Sequence, residues 1–209
     1  MSRSYLIGEF LALYAAIPVI LIFTEDILPV IPTVLIITGL VLVALRRSGW
    51  QWRELWRVGP ARSWRNMLLL WLAFVVVWTP VTWYFFPEQF LFLPLQRPDI
   101  WLLVMLLYPL LSAWPQEILY RTFLYERYRS LFAGMPWLFI AVSGVAFMWA
   151  HLLFMNWFAL LVTLLGGLVF AWRYWHTRSV LLVSVEHALY GNLFFTLGLG
   201  SQFLYSGMV

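Results

Sequence analysis

Residues 131–172, LFAGMPWLFIAVSGVAFMWAHLLFMNWFALLVTLLGGLVFAW, contain no Asp, Glu, Lys or Arg. At about 20 residues per bilayer crossing, this length accommodates two membrane-spanning helices. They run from about Pro136 to Phe154 and from Trp157 to Tyr174, with Asn156 near the turn between them. Gly166-Gly167 gives the second helix a smooth face for close packing. The apolar residues occupy every face, which excludes the period-two alternation of a membrane β-barrel strand.

The rest of the chain follows the same rule. Of 209 residues, 64% are hydrophobic and only 11% charged, whereas a soluble domain is roughly half apolar and a quarter charged. The sequence therefore specifies an all-α polytopic transmembrane bundle of about seven spans. The other runs are about Tyr5–Phe23, Ile27–Leu45, Asn66–Phe86, the stretch from Ile100 through Arg121, and Val180 to about Leu199. Glu25 and Asp26 form an acidic turn, and Pro29 and Pro32 suit the start of the second span. Thr122–Arg129, with Glu126, Arg127 and Arg129, is expected to emerge into water. The first run is read as a retained helix rather than a signal peptide. Residues 1–209 form a single membrane domain, with N-terminal spans and a basic interfacial segment over 1–99 and a motif-bearing core over 100–200.

All basic residues are Arg, and the net charge is +4. Arg46 to Arg65 alternate with Trp50, Trp52, Trp56 and Trp64, a pattern that fits the headgroup level of a bilayer better than nucleic acid. An inside N-terminus places the Arg46–Arg65 loop, the Arg121–Arg129 end and the Arg173–Arg178 turn on the cytoplasmic side, with the C-terminus outside. Disulfides, thiolate metal ligands and a cysteine nucleophile are excluded, because the chain has no Cys.

The clearly ionisable groups inside the apolar runs are Glu117, Arg121, His151, Glu186 and His187, with Glu9 nearer an end. Such groups are costly at membrane depth and are functional-site candidates by default. Glu117 and Arg121 stand at i and i+4 on one helix face, a spacing that fits a structural clamp as well as a catalytic pair. Glu186 is either functional or the partner of an Arg, and His176 belongs to a polar turn. The sequence contains no His-Glu-x-x-His zinc motif and no Gly-x-Ser-x-Gly serine elbow, and Asp26 and Asp99 lie in loops. A carboxylate and two histidines on separate helices remain, a set able to activate water for peptide hydrolysis.

Gln116-Glu117-Ile-Leu-Tyr-Arg121, Phe147-Met-Trp-Ala-His151 and His187-Ala-Leu-Tyr-Gly-Asn192 occur in that order on successive apolar runs. This series resembles the CAAX protease and bacteriocin-processing (CPBP) intramembrane proteases, whose pattern is Glu-Glu-x-x-x-Arg, Phe-x-x-x-His and His-x-x-x-Asn. The resemblance implies that Glu117 and His151 activate water, that His187 assists, that Asn192 or a nearby amide binds the oxyanion and that Arg121 fixes Glu117. Gln116, Phe147 and Glu186 would lie at the substrate. It also implies a membrane-associated protein or peptide substrate, such as a CAAX tail, a leader peptide or a sorting tail, in a multi-pass protein of the cell membrane. If a divalent metal such as zinc is used, Glu117, His151 and His187 are its candidate ligands.

Two positions depart from the pattern. Gln116 replaces the first Glu, and an amide is no general base. Adjacent helical residues point about 100° apart, so Glu117 does not take over that direction without a bend, for which Pro115 is the candidate. Gly191 stands where the pattern has Asn. Straight, centred helices would also separate Glu117 and His151 by roughly 10–15 Å in depth. The rival reading is a proton-linked transporter or partner-binding scaffold that retains the fold.

Overall fold

The structure is a computed structural model that describes residues 2–24 and 29–203. The expected Glu25-Asp26 turn and the Ile27 start of the second run lie outside the described residues. Among those residues seven helices are long and apolar enough to cross a membrane, and no strand occurs. They are α1 (Arg3–Thr24), α2 (Val30–Arg47), α3 (Ala61–Phe85), α4 (Pro98–Phe132), α5 (Pro136–Ala150, continued by a 3₁₀ turn at His151–Phe154), α6 (Trp157–Thr177) and α7 (Val180–Leu197). The protein is thus an all-helical, multi-pass membrane protein. Large apolar side chains such as Leu69, Val76, Leu106 and Leu165 stay exposed on its outer faces, as a lipid solvent permits.

Local chemistry sets the helix ends. Pro29 and Pro60 immediately precede α2 and α3, and Arg46 and Arg47 close α2 where the helix dipole favours cations. Asn156 caps α6 by accepting the Phe158 N–H at 2.8 Å, and Ser179 caps α7 by accepting the Leu182 N–H at 3.1 Å. Helices α5 and α6 pack closely, backbone against backbone, at their glycines. A Cβ on Gly167 would lie 3.1 Å from Gly144 Cα, so Gly167 supplies the smooth contact; a Cβ on Gly166 would meet only Phe170 of its own helix.

At 35 residues, α4 is the longest helix and spans about 52 Å at 1.5 Å per residue, well beyond the ~30 Å hydrocarbon core. It contains two π turns, Pro109–Ala113 and Ile118–Phe123, on either side of Trp114–Glu117. Pro109 has no N–H to offer the carbonyl four residues earlier, that of Met105. The Asn192 amide on α7 donates to that carbonyl at 3.2 Å. Within the second π turn, the Leu119 carbonyl accepts from Tyr14 Oη at 2.8 Å and the Tyr120 carbonyl from Ser143 Oγ at 2.7 Å. Carbonyls at the wide turn are therefore satisfied by α1 and α5, which pins α4 between them.

The far end of α4 corrects one expectation. Arg127 does not simply emerge into water: it forms a two-pronged ion pair with Glu9 of α1, with N–O distances of 2.7 and 2.6 Å. Tyr128 is buried and donates to the same carboxylate at 2.9 Å. The last turns of α4 are amphipathic, and their inward face holds the N-terminal helix.

Candidate active site

A cavity of about 1230 Å³ lies within the bundle. Its polar lining includes Ser112 and Gln116 from α4, His151 from the turn after α5, and His187 from α7. Phe147, Phe154, Phe170 and residues of α1 to α3 supply apolar walls. The Trp114–Glu117 segment lies between two π turns, which widen the helix and re-aim its side chains; such bulges are frequent at functional sites. Gln116 and Glu117 diverge as adjacent helical residues must. Gln116 faces the cavity, whereas Glu117 is fully buried and is not part of the lining.

Glu117 nevertheless reaches the cavity through a histidine. One carboxylate oxygen meets His187 Nδ1 at 2.9 Å, and the other lies 3.1 Å from Arg121 Nε. An ionised carboxylate accepts only, so His187 Nδ1 carries the hydrogen and Nε2 remains available. His151 is set in the same way from another source. Its Nδ1 donates to the Phe147 carbonyl at 2.7 Å, which again leaves Nε2 unengaged. Phe147 is in ring contact with both imidazoles, at centroid distances of 4.5 Å to His151 and 5.4 Å to His187, and Phe170 stacks on His187 at 5.1 Å. The 3₁₀ turn after α5 brings His151 to the cavity that His187 also lines, so Glu117 communicates with that space through His187.

Arg121 is wholly buried. Besides the Glu117 contact it donates to Ser143 Oγ at 3.1 Å and to the Tyr120 carbonyl at 3.3 Å, and its guanidinium lies over the Phe147 ring at 4.9 Å. Gln116 donates to Ser112 Oγ at 3.0 Å. Its amide oxygen is buried and without a partner among the described residues, so it is an acceptor left for a water or a substrate group.

Two candidates lie elsewhere. Asn192 spends its amide N–H on the Met105 carbonyl; Gly191, not Asn192, lines the cavity. Glu186 is fully buried and forms a two-pronged pair with Arg173, through Nε and, at 2.7 Å, through Nη2. Arg173 also donates to the Ser63 carbonyl at 3.2 Å, so this pair joins α6 and α7 to α3. Among the described residues no three His, Asp or Glu side chains gather as a metal-holding group.

The three motif segments thus lie at or directly behind one cavity, in a stretch of chain that can be compared with known families. Residues 98–193 match the type II CAAX prenyl endopeptidase Rce1-like family. This match supports the CPBP resemblance read from the motifs over the same stretch. No curated protein and no solved structure matches the chain.

Proposed function

We propose that the protein is an intramembrane endopeptidase that hydrolyses a peptide bond of a membrane-associated protein or peptide within this cavity, with residues 100–200 as its catalytic core. The observation that carries the reading is the pair of histidines whose Nδ1 atoms are both engaged, by Glu117 and by the Phe147 carbonyl. That arrangement leaves two Nε2 atoms for one reaction space.

In this mechanism the Gln116 amide oxygen holds a water that His151 Nε2 deprotonates as it adds to the scissile carbonyl. Gln116 positions the water and His151 is the base, so the missing first carboxylate is compensated by an imidazole. His187, oriented by its Nδ1 contact with Glu117, assists at the same reaction space through Nε2. Glu117 acts through His187 as an orienting carboxylate, much as a buried Asp serves a catalytic histidine, and Arg121 fixes Glu117. His151 then passes its proton to the departing amine. Asn192 and Glu186 are assigned to helix packing. No step is routed through a metal.

The apolar walls suit a substrate with an apolar or lipid-modified segment beside the cleaved bond. The Arg-rich ends support a cytoplasmic N-terminus in the cell membrane. The test is a panel of membrane-tethered peptides, prenylated CAAX tails among them, presented to purified protein in lipid. Cleavage is expected to fall by about 10²–10⁴-fold in His151→Ala and to be unchanged by a chelator. Full activity in both His151→Ala and Glu117→Ala would overturn the site.

A further inference from the structure

Hydrolysis needs a hydrogen-bond donor aimed at the carbonyl oxygen as it becomes negative. Asn192 is not placed for this: it does not line the cavity, and its amide donates to the Met105 carbonyl opened by Pro109. The neighbouring cavity position, Gly191, has no side chain. Its space is taken by Tyr108: a Cβ on Gly191 would lie 2.2 Å from Tyr108 Cε1 and 2.4 Å from both Cζ and the hydroxyl oxygen. Such distances do not occur between real atoms, so the phenol and the bare Cα are mutually required. The Tyr108 ring stands nearly edge-on to the His187 ring, with centroids 5.9 Å apart, and is braced at 5.4 Å by Phe195. Tyr108 lines the same cavity as Gln116, His151 and His187. It is the last residue before the Pro109–Ala113 π turn, so that break in α4 sets its position.

We propose that Tyr108 is a catalytic residue whose phenol O–H, seated over Gly191 beside His187, donates a hydrogen bond to the scissile carbonyl oxygen in the transition state. The proposal rests on the hydrolase reading above and deepens it. The water oxygen bonds to the carbonyl carbon while the C=O π pair moves to oxygen, and the water proton goes to His151. Tyr108 keeps its own proton and shares it by hydrogen bonding. When the C=O bond re-forms, the C–N bond breaks and the amine takes the proton from His151. A tyrosine suits this position because its O–H is held at the end of a rigid ring in an otherwise apolar wall, where a hydrogen bond to a developing charge is strongest.

The test uses full-length protein in lipid vesicles, a cleavable membrane-tethered peptide, and a peptidyl phosphinate whose tetrahedral P–O⁻ mimics the oxyanion. Tyr108→Phe keeps the ring and the packing on Gly191. It is expected to lower kcat by about 10²–10³-fold with KM nearly unchanged, and to weaken phosphinate binding by at least tenfold while the uncleaved peptide binds as before. A second variant, Tyr108→Ala with Gly191→Asn, puts an amide donor into the vacated space and is expected to recover activity relative to Tyr108→Ala alone. The proposal is overturned if Tyr108→Phe retains kcat and phosphinate affinity while His151→Ala does not. If the wild type neither cleaves the peptide nor prefers the phosphinate, the hydrolase reading falls and this assignment with it.

Discussion

Among the described residues two buried Glu–Arg pairs are chemically alike and differently built. Glu186 and Arg173 meet through two contacts, and Arg173 adds the Ser63 carbonyl. Glu117 and Arg121 meet at a single 3.1 Å contact without hydrogen-bond geometry, which leaves Arg121 Nε and Nη2 unpartnered among the described residues. The second carboxylate oxygen of Glu117 goes instead to His187. A pair that spends all its hydrogen bonds on itself and on backbone is a clamp. A pair that diverts an oxygen to an imidazole on a cavity wall transmits its position to that imidazole. Buried ion pairs are common to both roles, so it is the third partner that separates them.

Neutralising each pair should break the symmetry. Replacing Glu117→Gln together with Arg121→Met removes the carboxylate that holds His187. Peptide cleavage is expected to fall on the order of 10²–10⁴-fold while circular dichroism keeps its helical signal. In the second pair, Arg173→Met alone leaves Glu186 buried and uncompensated, at a cost of about 3–5 kcal/mol, read as a lower Tm in detergent. Adding Glu186→Leu should restore most of that Tm, with cleavage within about tenfold of the wild type. If the doubly neutral Glu186/Arg173 protein is well folded but inactive, the division into clamp and transmitter is wrong. The smallest effect is expected at Asn192→Leu, which strands the Met105 carbonyl and costs about 1–3 kcal/mol of stability, again measured by Tm, with a loss of kcat far smaller than that of the first double variant.

Much of this was legible in the sequence, and the reasons differ by residue. The spans were legible because uncharged runs about 20 residues long have few alternatives; α5 and α6 begin at the expected Pro136 and Trp157. The divergence of Gln116 and Glu117 was legible too, since 100° per residue is a property of any helix. The continuation of α4 as one helix was not. Its π turns depend on donors from Tyr14 and Ser143, far away in the chain. The Glu9–Arg127 bond joins residues 118 positions apart, and no local pattern marks it. The choice between a functional and a paired Glu186 required knowing where Arg173 points. Asn192 was legible as a polar residue within a span, but its task is set by Pro109 on another helix. Tyr108 carried no motif, and the available signal was the glycine at 191, a bare position in an otherwise bulky span.

The π turn at Ile118–Phe123 has a consequence for insertions and deletions. Such a turn amounts to one surplus residue in an α-helix, so deleting any one residue there would let the backbone become more regular. Since the wide turn absorbs that residue, the deletion would leave everything beyond it close to its present phase, with Arg127 and Tyr128 still facing Glu9, but would displace the carbonyls that Tyr14 and Ser143 satisfy. A shortening by one residue inside this turn should therefore disturb the Glu117–Arg121 contact more than the Glu9 anchor at the end of the helix.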